Sequence, residues 1–472
     1  MEIKISKHAG SKSEVYLMLE SKKTKIPDFT GKKGEIIVLY DKNNPRVYVG
    51  LGKREDLNIE IIRQTVANSV RKIKALKRKD FSLMVPELKK IDILELVYAM
   101  CEASLLADYS FDKYKTNTEE KHKIKLMELV LENIEYSEEV KLHEAIVISR
   151  AVNRTRNLVN ENADLMTPAG LALKAKKLAK TKTVKITVLD EKQIKKQGLE
   201  LLYTVGKGSK YPSRLIIAEY NGGKKDDKKI AIIGKGVTFD TGGLNLKPTG
   251  HIETMRTDMS GAAVTLGIIQ AASKLKLPVN LVCVIGCACN AVGPGSYFPG
   301  DVYKSYLGKT VQIKNTDAEG RLVMADALAY AVKKHKPDYI VDFATLTGAI
   351  VVTLGHLAAG LFSNNDELSE KLCKAGAKVN ERLVRIPVYE ECKEALKGEI
   401  ADLNNISNFS RGEAGSMTAA AFLQEFVEDI PWAHIDIAGV SFNTKGNSGY
   451  VPKFATGYGV RLGVEWLRSM VE

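Results

Sequence analysis

Apolar residues recur at two different periods along this chain, and the change of period divides it. Near the start, "SEVYLML" (13–19), "GEIIVLYD" (34–41) and "RVYVGLG" (46–52) are short, β-branched and apolar. They predict strands, the last two joined by turn chemistry at "KNNP". Helical spacing follows over 56–79, 92–108 and 119–133. A longer helical pattern runs over 137–159, entered through Ser137 as a cap and two glutamates. From residue 160 the pattern becomes short apolar runs alternating with helices. The runs are "VKITVLD", "RLIIAEY", "KIAIIGKGVTFD", "PVNLVCVIGCACN", "PDYIVDFATLTG" and "HIDIAG"; helices are expected at 261–275 and 320–335. Nearly continuous apolar strands between helices argue for a sheet covered on both faces.

The expected architecture is therefore α/β. A smaller N-terminal α/β domain covers 1–136, a connecting helix 137–159, and a larger α/β domain 160–472 with a central mixed sheet flanked by helices. In such sheets sites gather at the carboxyl ends of strands, where these runs lead into glycine and polar residues.

Composition narrows the class. The 472 residues are 44% hydrophobic and 27% charged, ordinary for a globular protein. No apolar run reaches the length of a membrane-spanning helix, the first residues lack a signal-peptide core, and a cytoplasmic location is the expectation. The formal net charge of +13 raises nucleic acid as a partner. The surplus is spread, however, and its one cluster, "RKIKALKRK" at 71–79, falls on a helical pattern and is expected to form a solvated face. The six cysteines form no paired CxxC knuckles, and Cys287 and Cys289 share one face of an apolar strand. Buried reduced thiols are expected.

Several motifs fail. "LGKT" at 307–310 lacks the upstream glycine of a phosphate loop, position 303 being Tyr303. No dinucleotide fingerprint, no H-E-x-x-H pair and no G-x-S-x-G elbow occurs. His434 reads as a core or supporting residue rather than a ligand.

What remains is a set of charges at strand and helix ends. Residues 234–247, "GKGVTFDTGGLNLK", hold Lys235, Asp240 and Lys247 around two glycines. Residues 252–264, "IETMRTDMSGAAV", place Asp258 just before a helix, and 315–321, "NTDAEGR", add Asp317, Glu319 and Arg321. Four clustered carboxylates repel one another unless cations compensate them. Hard divalent metals bound by oxygen offer that compensation, in a two-metal site if carboxylates bridge. A lysine can join only as a free amine. Separate helix caps and surface ion pairs are the alternative reading. Arg321 at a helix N-terminus opposes the macrodipole; with free backbone N–H groups it would instead make an anion pocket.

These three stretches together resemble the leucyl aminopeptidase family, hexameric two-metal exopeptidases. The likeness continues through "IADLNN", "AGSMTAAAFLQEF", "PWAHIDIAG" and "ATGYGVRL", and more loosely through "VYVGLGK" and "DYSFDKYK". It implies a catalytic metallopeptidase domain over 160–472. Lys235, Asp240, Asp258 and Glu319 would hold one metal, and Asp240, Asp317 and Glu319 the other, zinc or manganese with magnesium or cobalt as further candidates. By the same resemblance Lys247 is a catalytic lysine that stabilises an oxyanion, and Arg321 a catalytic arginine that holds a bicarbonate proton relay. Lys247, Met255, Asn315 and the "ATLTG" stretch from Thr345 to Gly348 would bind the peptide substrate. A homohexamer is implied, and a DNA-binding role is the alternative function. Thr241, Ser260 and a missing proline in "NLVNENADLMTP" depart from the family pattern without touching an expected ligand.

Overall fold

The computed structural model describes residues 1–22, 24–117, 122–178 and 183–471. Its chain forms two compact units, Met1–Asn153 with Thr444–Phe454, and Arg154–Asn443 with Ala455–Glu472.

The first unit is a six-stranded sheet with helices. In chain order its elements are β1 (Glu2–Ser6), β2 (Glu14–Leu19), β3 (Ile36–Asp41), β4 (Asn44–Gly52), α1 (Ile59–Ala75), β5 (Asp80–Met84), α2 (Ile93–Ala107) and β6 (Leu126–Val130). The strand order is β1-β6-β5-β2-β4-β3. All neighbours are parallel except the β3–β4 hairpin. That hairpin turns on Lys42 and Asn43, both at positive φ, the twist a two-residue connection needs. Asn58 caps α1 through Glu60 and Ile61, and Asp92 caps α2 through Leu94 and Glu95. Ile62, Val66, Val70 and Ile73 share a core with Val47, Val49, Phe81 and Leu83.

Two local expectations change here. Of the helix expected at 119–133, residues 119–121 lie outside the described residues, and Leu126–Val130 is strand β6. "LMELV" satisfies either period; pairing with β1 on one side and β5 on the other decides it. The long helix α3 (Tyr136–Asn160) begins one residue before Ser137, so Ser137 is not its cap. Glu138 reaches back from the first turn, its carboxylate accepting from the Glu135 N–H at 3.0 Å and from Ser137 Oγ at 3.1 Å. The basic cluster has no buried charged residue, in keeping with a solvated face, although Lys74 donates to the Asp108 carbonyl at 2.9 Å and Arg78 to that of Asn43 at 3.0 Å.

The second unit opens with α4 (Pro168–Lys176), β7 (Val184–Leu189), α5 (Glu191–Gln197), α6 (Glu200–Gly206), β8 (Arg214–Asn221), β9 (Lys229–Asp240), α7 (Ser260–Leu275) and β10 (Asn280–Asn290). Short strands β11 (Val302–Lys304) and β12 (Thr310–Gln312) precede α8 (Gly320–His335) and β13 (Tyr339–Ala344). Then come α9 (Gly348–Leu354), β14 (Ala359–Ser363), β15 (Leu383–Arg385), β16 (Leu403–Asn404) and β17 (Trp432–Asp436). The central sheet runs β15-β14-β17-β13-β9-β10-β8-β7. Its four middle strands, β17, β13, β9 and β10, are parallel, while β8 and β14 run antiparallel to their inner neighbours. The sheet is mixed, as expected.

Alternation along β9 sets which helix lies on which face. A Cβ at Gly234 would meet Ala262 and Thr265 of α7, so α7 packs closely on that face. Ala231 and Ile233, on the other face, share a core with Leu322 and Val323 of α8. Five of the six cysteines are buried and all six are free thiols. Among the described residues, no helix is long and apolar enough to cross a membrane.

Candidate metal and catalytic site

Because β17, β13, β9 and β10 are parallel neighbours, their carboxyl ends lie side by side. Those ends carry Asp436, Thr345 (one residue beyond β13), Asp240 and Asn290. Two further pieces complete the site: Asp258, at the end of a short 3₁₀ turn before α7, and the loop 314–319 that leads into α8.

Lys235 is the centre of one half. It is buried, and its Nζ lies 2.7 Å from Asp258 Oδ2 and 2.9 Å from Glu319 Oε1, while donating to the Thr345 carbonyl at 2.9 Å. Thr345 Oγ1 donates to Asp258 Oδ1 at 2.7 Å. The close approach of α8 requires Gly320, where a Cβ would fall 2.4 Å from Lys235 Cε. Lys247 is the centre of the other half, 2.9 Å from Asp240 Oδ2 and 2.6 Å from Asp317 Oδ1. The turn that brings it there passes through Gly242 and Gly243, both at positive φ. Gly242 N–H and Asn290 Nδ2 donate to Asp240 Oδ1 at 2.9 and 2.8 Å.

Every expected metal ligand therefore lies in one cluster, buried except for the half-buried Asp317. One oxygen each from Asp240, Asp317 and Glu319 lie within 4.8 Å of one another, and Lys235 ties Asp258 to Glu319. Burial, and after it the charge of Glu319, pushes the Asp240 carboxyl above its usual range; burial also lifts Asp258 well up. Asp317 rises through burial and the charge of Asp240. Burial pulls the two lysines the other way, yet the surrounding carboxylates outweigh it and hold both ammonium groups above the usual lysine range.

The donor set suits a divalent cation on two counts. Four carboxylates against two lysines leave an excess of negative charge. Asp258 Oδ2 and Asp317 Oδ1, both buried, are within ion-pair reach of an ammonium but lack an aligned hydrogen bond. Such oxygens are hard ligands with lone pairs to give.

Arg321 lies in the first turn of α8, whose N-cap residue Glu319 makes no side-chain cap. Its guanidinium is buried and donates to the Asn405 carbonyl at 2.8 Å. Burial lowers it to about 10, opposed by Glu319 and Asp436, so it stays charged at neutral pH. Among the expected substrate residues, Thr345 touches Asp258 directly, and Asn315 accepts from the Asp317 N–H at 2.8 Å. Met255 is half-buried, its carbonyl accepting from the Asp258 N–H at 3.3 Å. Gly348 is exposed at the start of α9, with open space where a side chain would stand.

The uncharged supports of the site were not anticipated. Asn290 bridges Asp240 and the Thr316 carbonyl, and Tyr297 donates to that same carbonyl at 2.9 Å. Asn405 brackets the 314–318 loop. Amides and hydroxyls leave no pattern of charge; the one signal was the position of Asn290 at the end of an apolar strand and of Asn405 in "IADLNN". His434 is buried and pairs with Asp342 through Nδ1 at 2.6 Å, with Trp432 Nε1 donating to the same carboxylate. It supports the sheet, as expected.

A carboxylate and lysine cluster at the carboxyl end of a mixed α/β sheet has the donor set of a divalent-metal site, and the sequence comparisons supply the class. Residues 153–464 match the catalytic domain of the cytosol aminopeptidase family and residues 21–118 its N-terminal domain. The chain belongs to the cytosol aminopeptidase family. A probable cytosol aminopeptidase of Protochlamydia amoebophila is 44% identical over 94% of this chain and 89% of its own length. One from Roseiflexus castenholzii is 38% identical over 94% and 92%. Among solved structures, the bottromycin maturation enzyme BotP in complex with Mn superposes with a TM-score of 0.90 at 29% identity, covering 98% of this chain and all of that one. The protein is accordingly a metallo-exopeptidase of the aminopeptidase type.

Proposed function

We propose that the protein releases N-terminal residues, leucine among them, from peptides by a two-ion mechanism. The observation that carries this reading is the gathering of Asp240, Asp258, Asp317 and Glu319 with Lys235 and Lys247 at adjoining strand and helix ends, all but the half-buried Asp317 and Lys247 being buried. Lys235, Asp240, Asp258 and Glu319 would hold one divalent ion. Asp240, Glu319 and Asp317, through its side chain and main-chain oxygen, would hold the second. Zinc and manganese are the first candidates, with magnesium and cobalt also suited to the oxygen donors. When bound, such ions polarise the peptide carbonyl and lower the pKa of water from about 16 toward roughly 7.

The chain's own residues do the rest. Lys235 would have to give up its proton to serve as a ligand, so ion uptake there would release one. Lys247 presents a positive donor to the oxyanion that develops on the scissile carbonyl. Arg321, with the uncapped N-terminus of α8, would hold a bicarbonate, which supplies a proton acceptor beside the reacting centre. Met255, Thr345 and Gly348 line the space for the first side chain, and Asn315 stands within reach of the substrate backbone. One of the two ions could receive the substrate's free α-amine, which would confine cleavage to the first residue. In this reading the protein works in the cytoplasm as a homohexamer.

A panel of leucine amide, Leu-containing dipeptides and Cys-Gly, assayed before and after chelation and with each ion restored, tests the reading. Activity that vanishes on chelation and returns with one of the ions is expected. Full activity after exhaustive metal removal would sink the mechanism.

A further inference from the structure

Asn405 is fully buried directly after β16, and its side chain makes four contacts with one loop. Oδ1 accepts from the N–H groups of Lys314 at 2.8 Å and Asn315 at 3.2 Å. Nδ2 donates to the carbonyls of Asn315 at 2.6 Å and Ala318 at 3.4 Å. An amide group has two donors and two acceptor lone pairs, so its whole capacity goes to residues 314–318. Its own main chain is fixed twice more: the N–H donates to the Gln312 carbonyl at 3.0 Å, and the carbonyl accepts from Arg321 Nη1 at 2.8 Å. Gln312 pairs with Asn404 across β12 and β16, which makes the base of this arrangement part of a sheet.

We infer that Asn405 is a positioning residue for the reaction, one that sets the ion-binding loop and the anion-holding arginine in register with each other. The physical case is the loop's own geometry. Residues 314–318 are neither helix nor strand, so their backbone groups need partners from elsewhere. Asn405 supplies four of them at the residues flanking Asp317, and the same residue's carbonyl orients Arg321. Moving Asn405 moves both together. The inference deepens the two-ion reading and rests on it.

The test uses the full-length protein with Mn²⁺ alone as the probe, comparing wild type with Asn405→Ala and Asn405→Asp. The alanine variant loses all four side-chain contacts; the aspartate variant keeps the two accepted ones but sets a carboxylate oxygen against the Asn315 and Ala318 carbonyls. Supporting contacts around metal sites typically carry about 10–100-fold in affinity or rate. Asn405→Ala is expected to weaken the binding of one of two Mn²⁺ ions by about 10–100-fold in calorimetry, with kcat falling comparably. KM should stay within about threefold, and Asn405→Asp, whose second oxygen meets two carbonyls, should recover neither loss. A lower unfolding temperature with unchanged Mn²⁺ affinity and unchanged kcat would mean a purely structural role and overturn the inference. Should Asn405→Ala fail to fold, the same two readouts on Asn405→Asp decide it. Wild-type protein that shows no hydrolysis with Mn²⁺, Zn²⁺, Mg²⁺ or Co²⁺ would instead overturn the two-ion reading itself.

Discussion

Lys247 stands 2.6 Å from Asp317 and 2.9 Å from Asp240, so one ammonium spans the loops after β9 and before α8. Its nitrogen is therefore placed by two carboxylates that the mechanism assigns to ions. If Lys247 serves the oxyanion and is not a ligand, Lys247→Ala should lower kcat by about a hundred- to thousandfold, or about 3–4 kcal/mol. Ion content, measured on the same preparation, should remain. Loss of ions in step with activity would make Lys247 a ligand.

Arg321 gives a second separation of roles. Arg321→Ala should leave ion content intact and slow turnover, and Arg321→Lys should not restore it, because an ammonium lacks the planar fork that holds an oxyanion at two points. Added bicarbonate is expected to stimulate wild type more than either variant. Equal loss of ions and activity would assign Arg321 a different role.

Gly320 tests the packing beneath the site. Alanine is the better helix former, yet here its Cβ would lie 2.4 Å from Lys235 Cε and 2.5 Å from Nζ. Gly320→Ala should displace the lysine and reduce both ion affinity and kcat by at least about tenfold, in keeping with other supports of metal sites. Unchanged ion affinity, measured by titration, would show that Lys235 yields without consequence.

Glu128 provides a pH prediction away from the site. The carboxylate, almost fully buried, accepts from Gly10 N–H, Ser11 N–H, Ser11 Oγ and Ser82 Oγ, with Lys4 Nζ at 3.0 Å. Burial raises its pKa, but these bonds prevail and bring it down to about 2. A depressed folded pKa contributes stability above the unfolded value of roughly 4.3 and loses it as pH falls toward about 2. Wild type should thus exceed Glu128→Gln in unfolding temperature at pH 6, with the gap narrowing steadily to pH 2.5. A constant gap across that range would contradict the assignment.

Much of the site was legible because ionisable residues are conspicuous. Asp240 and Lys235 end an apolar strand, and Asp317, Glu319 and Arg321 open a helix, positions where charge needs a reason. The supports were illegible for the opposite cause. Asn290 and Asn405 are neutral, and their value lies in partners 26 to 90 residues away. Strand β6 was misread as helix because five apolar-rich residues fit both periods, and only its neighbours β1 and β5 select the pleat.

The sequence by itself determined the alternation of strands and helices from residue 160, the mixed α/β class and the identity of the charged set, since these follow from local period and residue chemistry. Tertiary structure decided which strand ends adjoin. The order β17-β13-β9-β10 brings Asp436, Thr345, Asp240 and Asn290 together although they are separated by up to about two hundred residues in the chain. It also placed Thr444–Phe454 with the first unit, where Tyr450 Oη donates to Glu60 Oε2 at 3.1 Å. Pairing of this kind depends on long-range hydrogen bonds and shared burial, which no short window of sequence contains.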